Sequence, residues 1–123
     1  MNSSHNILYD NPPLVVNPEI ADIFGLKEAL VLQQLHDLLE IKRKNDKSNV
    51  QEDYCWIHNT IKKWHEHFPF MSETSIKRVF KFFRDKKIIL TRQFDQKNWD
   101  AKNYYTIDYS VLEKYIIVRR NYE

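Results

Sequence analysis

The sequence predicts an α+β domain that is mostly helical, with short flanking helices and a two-stranded hairpin near the C-terminus. Apolar residues recur at helical spacing in several segments, a pattern typical of amphipathic helices that pack on a common core. Two β-rich runs lie close together near the C-terminus, as the strands of a hairpin do. The 123 residues include one glycine and four prolines, too few for the many turns of an all-β sandwich. We therefore expect an arm over residues 1–16, one domain over residues 17–118 and a tail over residues 119–123.

The composition narrows the class of protein further. Apolar residues make up 42% of the chain and charged residues 29%, as in ordinary soluble globular domains. The single glycine, Gly25, excludes glycine-rich phosphate-binding loops. The single cysteine, Cys55, cannot form an internal disulfide, and no apolar run approaches the roughly 20 residues that a membrane-spanning helix needs. The sequence therefore predicts a cytoplasmic protein that does not interact with a membrane.

Two helices are predicted in the first third of the chain. Asn17 followed by Pro18 is a favourable helix start, and a short helix over Glu19–Phe24 is expected to end at Gly25, since glycine readily adopts a positive φ. A longer helix follows over Leu26–Lys44. Its buried stripe is expected to comprise Val31, Leu32, Leu35, Leu38 and Leu39.

The middle of the chain predicts a loop, a strand and a short helix. The polar segment Lys42–Asp53 indicates an exposed loop, and the aromatic run Tyr54–Ile57 indicates a strand. Thr60 can cap a helix over Ile61–His67, which the proline-containing residues 68–71 then interrupt.

The next helix is predicted over Glu73–Lys87, with Ser72 as its N-cap. One face of this helix carries apolar residues at a spacing of three and four: Ile76, Val79, Phe80 and Phe83. The opposite face is polar and carries Thr74, Arg78, Lys81 and Asp85, flanked by Ser75, Lys77 and Arg84.

The last part of the chain predicts a hairpin and a final helix. The strands are expected over Ile88–Phe94 and Tyr104–Ile107, with a polar tip over Asp95–Lys102. Asp108 can cap a helix over Tyr109–Val118, which precedes two arginines in the tail.

The basic residues are concentrated in one part of the chain. The net charge is +2 overall, but nine basic and four acidic residues between Met71 and Lys102 give that segment +5. A basic block inside a folded region indicates a surface that contacts phosphates, although a solvated helix face has the same composition.

Two short helices joined by a tight turn and followed by a hairpin form the winged helix-turn-helix plan. The major groove admits one α-helix, so the helix over Glu73–Lys87 is expected to read double-stranded DNA. The residues near its start that can approach base edges are Thr74, Ser75 and Arg78. The cations better suited to phosphates are Lys77, Lys81 and Arg84. The predicted DNA-binding set also includes Ser72 and the tip residues Gln96, Lys97, Asn98, Trp99 and Lys102.

Several motifs resemble one family. The segments "GLKEALVLQQLH", "WIHNT", "FPFMSETSIKR" and "YYTIDY" are similar to the winged-helix domain of replication proteins from Gram-positive phages and mobile elements. Those domains in turn resemble the N-terminal domain of DnaD-type primosome proteins. The resemblance spans about Leu14–Leu112. It implies DNA binding at or near replication origins, with the recognition helix beginning around Thr74, Ser75, Lys77 and Arg78.

A second hypothesis keeps the same scaffold but gives it a protein partner. Family members commonly continue past the wing, whereas this sequence ends at Glu123, and Asp37 occupies a position where the family pattern suggests an aromatic residue. Winged helices also serve as protein-binding modules. The chain could therefore be a small inhibitor or adaptor, for example an anti-CRISPR protein that acts on a host nuclease, or a partner of replication proteins.

Other chemistries receive little support. His58, His65 and His67 lack the i, i+4 spacing of a helical zinc site, so we expect no metal and no cofactor. Cys55 has no positioned base in the sequence, and we expect no catalytic residue and no enzymatic activity. A homodimer is expected to use residues 1–16 or Tyr115–Glu123.

Overall fold

The computed structural model describes residues 4–45, 50–51, 54–92 and 103–122. Within these ranges the chain forms five α-helices and a three-stranded antiparallel sheet, with a separate pair of two-residue strands. The fold is therefore α+β and mostly helical, which confirms the predicted class.

The N-terminal part contains a 3₁₀ helix that the sequence did not predict. Residues Ser4–Tyr9 form this helix, whereas we expected an arm without helical structure. The first α-helix, α1, covers Pro18–Phe24, and the Asn17 side chain caps it by accepting from the N–H groups of Glu19 and Ile20. Gly25 ends α1 with a φ of 115°, as expected for the position that only glycine adopts readily.

Helix α2 covers Leu26–Asn45 and is the longest element of the fold. It extends one residue beyond its predicted end at Lys44. The first four residues of the expected Lys42–Asp53 loop are therefore helical. A further part of that loop is extended, because β1, Val50–Gln51, pairs with β2, Tyr54–Cys55.

The predicted strand over Tyr54–Ile57 is in fact two strands. Its first half is β2, and its second half begins β3, Ile57–His58, which belongs to the other sheet. Trp56 lies between the two strands and is 3% exposed. The backbone changes its pairing partner at this buried residue, and a local aromatic pattern does not reveal such a change.

Two helices follow and pack against each other. Helix α3 covers Ile61–His67 and is capped by Thr60, and helix α4 covers Glu73–Asp85 and is capped by Ser72. Helix α4 ends at Asp85, two residues earlier than predicted, because Lys87 adopts a left-handed φ of 63°.

The end of α4 has the hydrogen bonds of a Schellman motif. The N–H of Lys87 donates to the carbonyl of Arg84 (3.0 Å), and the N–H of Ile88 donates to the carbonyl of Phe83 (3.0 Å). Ile88 is fully buried behind this turn. The turn directs the chain straight into the next strand.

The three-stranded sheet has the order β3-β5-β4. Strand β4 covers Ile89–Arg92 and strand β5 covers Tyr104–Ile107, and they pair in antiparallel register from Ile89↔Ile107 to Arg92↔Tyr104. Strand β3 pairs with the other edge of β5. The predicted hairpin is therefore present. Strand β3, which begins at the end of the predicted Tyr54–Ile57 strand, joins it as a third strand, and the sequence did not predict this pairing. The expected first strand also included Gln93 and Phe94, which lie outside the described residues.

The last helix, α5, covers Tyr109–Asn121, three residues beyond its predicted end at Val118. Arg119 and Arg120 are thus helical, and both form ion pairs with α1: Arg119 with Asp22, and Arg120 with Glu19. These contacts tie the C-terminal helix to the first one.

The core lies between α2, α4 and the sheet. The largest side chains that are fully buried in it are Trp64, Phe68, Phe80 and Phe83. Phe24 of α1 packs on Phe83 with ring centroids 5.4 Å apart, so the first helix also closes over this core. No helix among the described residues is long and apolar enough to cross a membrane.

Candidate nucleic-acid interface

Helix α4 has one buried and one exposed face. The buried residues are Ile76, Val79, Phe80 and Phe83, the four that the periodicity predicts, and each is at most 5% exposed. The exposed residues of α4 are Glu73, Thr74, Lys77, Arg78, Lys81, Arg84 and Asp85. The amphipathic division predicted for this helix is confirmed.

A cluster of three aromatic rings holds the buried face in place. Trp64 of α3 lies 5.3 Å from Phe80 of α4 between ring centroids, and Phe80 lies 4.8 Å from Tyr105 of β5. Burial raises the pKa of the Tyr105 hydroxyl. The cluster joins α3, α4 and the sheet, so the outward face of α4 has a fixed orientation relative to the strands.

The start of α4 is capped by a pair of serines. The Oγ of Ser72 accepts from the N–H of Ser75 (3.1 Å), and the Ser72 hydroxyl also donates to the Oγ of Ser75 (3.1 Å). Ser75 is only half-buried, and Thr74 is exposed beside it. Both serine hydroxyls are thus engaged in the cap, whereas Thr74 is exposed beside them.

The cations of α4 differ in their surroundings. Lys81 Nζ lies 2.9 Å from Asp85 Oδ2, and this hydrogen bond with the attraction of Lys81 lowers the pKa of Asp85. The side chains of Lys77 and Arg78 make no hydrogen bond or ion pair with any described residue. Arg84 is exposed next to Asp85. Lys77 and Arg78 are therefore the cations most available to a phosphate.

Two further lysines follow the helix and point in different directions. Lys86 Nζ lies 4.7 Å from the centre of the Phe82 ring and 5.6 Å from that of Tyr115, a cation–π arrangement on the α5 side. Lys87 is exposed at the left-handed turn. The charge counted in the sequence is therefore spread over more than one surface.

Five predicted DNA-binding residues lie outside the described part of the chain: Gln96, Lys97, Asn98, Trp99 and Lys102.

Lys62 and Lys63 of α3 are exposed basic residues that sequence analysis did not include in the site. They stand in the first turn of α3, directly after the Thr60 cap. Both belong to α3, so they lie outside the exposed face of α4 and are not assigned to the candidate DNA contacts.

The other candidate chemistries are metal binding and thiol chemistry, within residues 4–45, 50–51, 54–92 and 103–122. These ranges contain no group of three or more His, Cys, Asp or Glu side chains arranged to hold a metal ion. Cys55 is a buried, unpaired thiol, 4% exposed. No family model, curated protein or solved structure matches the chain.

Proposed function

We propose that this chain is a DNA-binding winged-helix domain whose helix α4 enters the major groove. The observation that carries the proposal is the two-sided α4: its apolar face is locked into the core while Lys77, Arg78 and Arg84 lie exposed on the other side. A helix held in this way can present cations to a polyanion without losing its own packing.

The order of elements supports the same function. Helices α3 and α4 are joined by residues 68–72, and the β4–β5 hairpin follows directly. In the winged plan the second helix of the pair reads the groove, and the hairpin lies over the adjacent backbone. Strand β3 anchors that hairpin to the helical body through β5.

The residues of α4 divide into two roles under this proposal. Thr74 and Arg78, near the N-terminal end of α4, approach base edges, where arginine can recognise guanine with two hydrogen bonds. Lys77 and Arg84 contact phosphates and contribute affinity without sequence information. Lys81 contributes less, because Asp85 already holds it.

The biological setting is replication initiation, or its regulation, in a phage or mobile element. The resemblance of four motifs to winged-helix domains of replication proteins supports this setting, and these motifs are Gly25–His36, Trp56–Thr60, Phe68–Arg78 and Tyr104–Tyr109. The natural target is then double-stranded DNA at or near an origin.

Fluorescence anisotropy with a labelled duplex at increasing salt tests the DNA-binding proposal. If Lys77, Arg78 and Arg84 each neutralise one phosphate, the logarithm of affinity falls with the logarithm of salt with a slope of about −2.7. That slope reduces affinity by about 40-fold between roughly 50 and roughly 200 mM salt. An absence of binding at the lowest salt would overturn the proposal.

A second candidate function has its own observation. Large apolar side chains are exposed on the N-terminal segment, at Ile7, Leu8 and Tyr9, and on α5, at Ile117 and Val118. Exposed apolar patches favour protein contacts. They fit the alternative of an inhibitor or adaptor that acts on a host nuclease or a replication protein, and they also fit a homodimer.

The two functions respond to different substitutions. A Leu8→Ser change should abolish co-purification with a host nuclease or primosome component, and Arg78→Ala should leave it intact. Sedimentation of the purified chain at increasing concentration separates the homodimer, whose apparent mass doubles, from the monomer. If Arg78→Ala disrupts the protein complex and Leu8→Ser does not, the apolar surface is not the docking surface.

A further inference from the structure

A cleft opens on the side of α3 that faces the C-terminal half of α2. Its volume is about 710 Å³, within the usual range of small-molecule sites. Its walls come from the end of α2, from β3 and from the first and last turns of α3. No residue of α4 lines it, so the cleft is separate from the proposed DNA-binding face.

The floor of the cleft is apolar. Leu38 and Ile41 of α2 line it together with the buried Ile57 of β3. Ile41 is 56% exposed, although it stands between charged residues near the end of α2. An aliphatic surface that is open to solvent in this position suits the flat apolar body of a ligand.

The charged and titratable side chains that line this floor are all basic among the described residues. Lys42 comes from α2 and Lys63 from α3, and the imidazoles of His58 and His67 complete the set. No carboxylate is among the described residues that line the cleft. Two lysines from different helices over an apolar floor complement a ligand that carries a negative charge at one end.

Neutral polar groups lie in the same walls. The Oδ1 of Asn59 accepts from the N–H of Thr60 (3.0 Å), which leaves the amide NH₂ of Asn59 as a donor. Asn45 lines the cleft from the end of α2. The ring of His58 is oriented by its Nδ1, which lies 3.2 Å from the backbone carbonyl oxygen of Asn103. These groups can hydrogen-bond the edge of a base or a sugar hydroxyl.

We propose that this cleft binds a nucleoside monophosphate. The phosphate is held by Lys42 and Lys63, and the base lies on Leu38 and Ile41. The negative phosphate of such a ligand complements the two lysines, and its planar base packs on the two aliphatic side chains. The inference does not depend on DNA binding by α4.

NMR titration of the ¹⁵N-labelled chain with AMP tests the proposal, with adenosine and inorganic phosphate as separate probes. We expect shifts for residues on both sides of the cleft, and we expect AMP to bind at least about 10-fold more tightly than either probe, because each probe lacks half of the contacts. Equal affinity for AMP and inorganic phosphate would overturn the proposal, as would shifts confined to α4.

Matched variants locate the phosphate and the base. Lys63→Gln should weaken AMP binding by about 10-fold, since it removes a charged hydrogen bond. Lys62→Gln removes an equal charge from the neighbouring position, which does not line the cleft, and should change the affinity by less than about twofold. Ile41→Ser should weaken binding, whereas Leu26→Ser, at an exposed apolar position on the same helix, should not. Equal effects within either pair would contradict the proposal.

One further variant distinguishes a free nucleotide from a nucleic-acid phosphate. Arg78→Ala should leave the affinity for AMP unchanged even if it abolishes duplex binding. Lys63→Gln should leave duplex binding within about twofold of the unaltered chain. If Lys63→Gln weakens duplex binding and not AMP binding, the cleft is part of a nucleic-acid surface and the proposal is wrong.

Discussion

Lys81 donates a hydrogen bond of 2.9 Å to Asp85, which lies one turn later on the same exposed face of α4. Both side chains are about two-thirds exposed, at 68% and 64%. The hydrogen bond and the charge of Lys81 lower the pKa of Asp85, so the carboxylate is ionised under ordinary conditions. The face therefore carries less available positive charge than the count of its basic residues indicates.

Replacement of Asp85 should strengthen duplex binding. The Asp85→Asn variant releases Lys81 and removes a negative charge from the face, and one additional phosphate contact makes the salt slope steeper by about 0.9. Anisotropy titrations at several salt concentrations measure both effects. Glu113→Gln on α5 is the control for a loss of one negative charge elsewhere, and an equal gain with that variant would mean that only net charge matters.

Replacement of Arg78 should reduce both affinity and sequence discrimination. A bidentate contact to a base contributes roughly 1–3 kcal/mol, so Arg78→Ala should weaken binding to the preferred duplex by about tenfold or more. Lys114→Ala on α5 removes the same charge outside the proposed contact surface. Competition between the preferred and a scrambled duplex gives the discrimination, and equal losses for both duplexes would place Arg78 on phosphates instead.

The left-handed turn after α4 is a place where stability can be gained. Lys87 has a φ of 63°, a conformation that costs a non-glycine residue about 1 kcal/mol. Lys87→Gly should therefore raise the free energy of unfolding by about 1 kcal/mol, measured by denaturant titration. Lys86→Gly is the matched control: Lys86 has an ordinary φ of −88°, and glycine there should stabilise nothing.

Two phenylalanines should respond very differently to truncation. Phe83 of α4 is fully buried and packs on Phe24 of α1, so Phe83→Ala should lower the free energy of unfolding by about 3–5 kcal/mol. Phe70, in the turn between α3 and α4, is 61% exposed, and Phe70→Ala should change the free energy of unfolding by less than about 0.5 kcal/mol. Equal effects in denaturant titrations would contradict the described packing of α4.

The contact between the first and last helices should depend on pH. Two hydrogen bonds of 2.8 Å join Arg120 to the Glu19 carboxylate, and they lower the pKa of Glu19 below its ordinary value of 4.5. The stabilisation is complete above that value and is lost as the pH falls through the lowered pKa of the folded state.

Thermal unfolding of the unaltered chain and Glu19→Gln tests this dependence. The unaltered chain should have the higher Tm at about pH 6, and the difference should disappear in strong acid. Asp10→Asn, at an exposed position outside the pair, is the control for the loss of a carboxylate. A Tm difference that does not change with pH would mean that Glu19 acts through packing and not through its charge.

The helices could be predicted because their signals are local. In α4 the serine cap, the four apolar residues at helical spacing and the polar opposite face lie within fifteen residues of sequence. The end of the helix was placed two residues too late, since nothing in the identity of Lys87 indicates a left-handed conformation. A glycine at that position would have marked the end.

The strands were predicted less completely because the residue pattern of a strand does not identify the strand that pairs with it. Ile57, directly after Trp56, pairs with Tyr105 of β5. Cys55, directly before Trp56, pairs with Val50 of β1. Residue pattern reveals that Tyr54–Ile57 is extended, but it does not reveal which strand each half joins. The division of this run into two strands and the pairing of β3 with the hairpin were both missed for this reason.

The amino-acid sequence alone determined the fold class, the positions of the helices and the amphipathic division of α4, because periodicity and capping act within a few residues. Only the tertiary structure decided which of the cations are available. It turns Lys86 towards Tyr115 of α5 and ties Arg119 and Arg120 to α1. It also brings Lys42 and Lys63 to one cleft from helices that are separate in sequence. Such electrostatic contacts depend on distances through space, and residue order does not contain those distances.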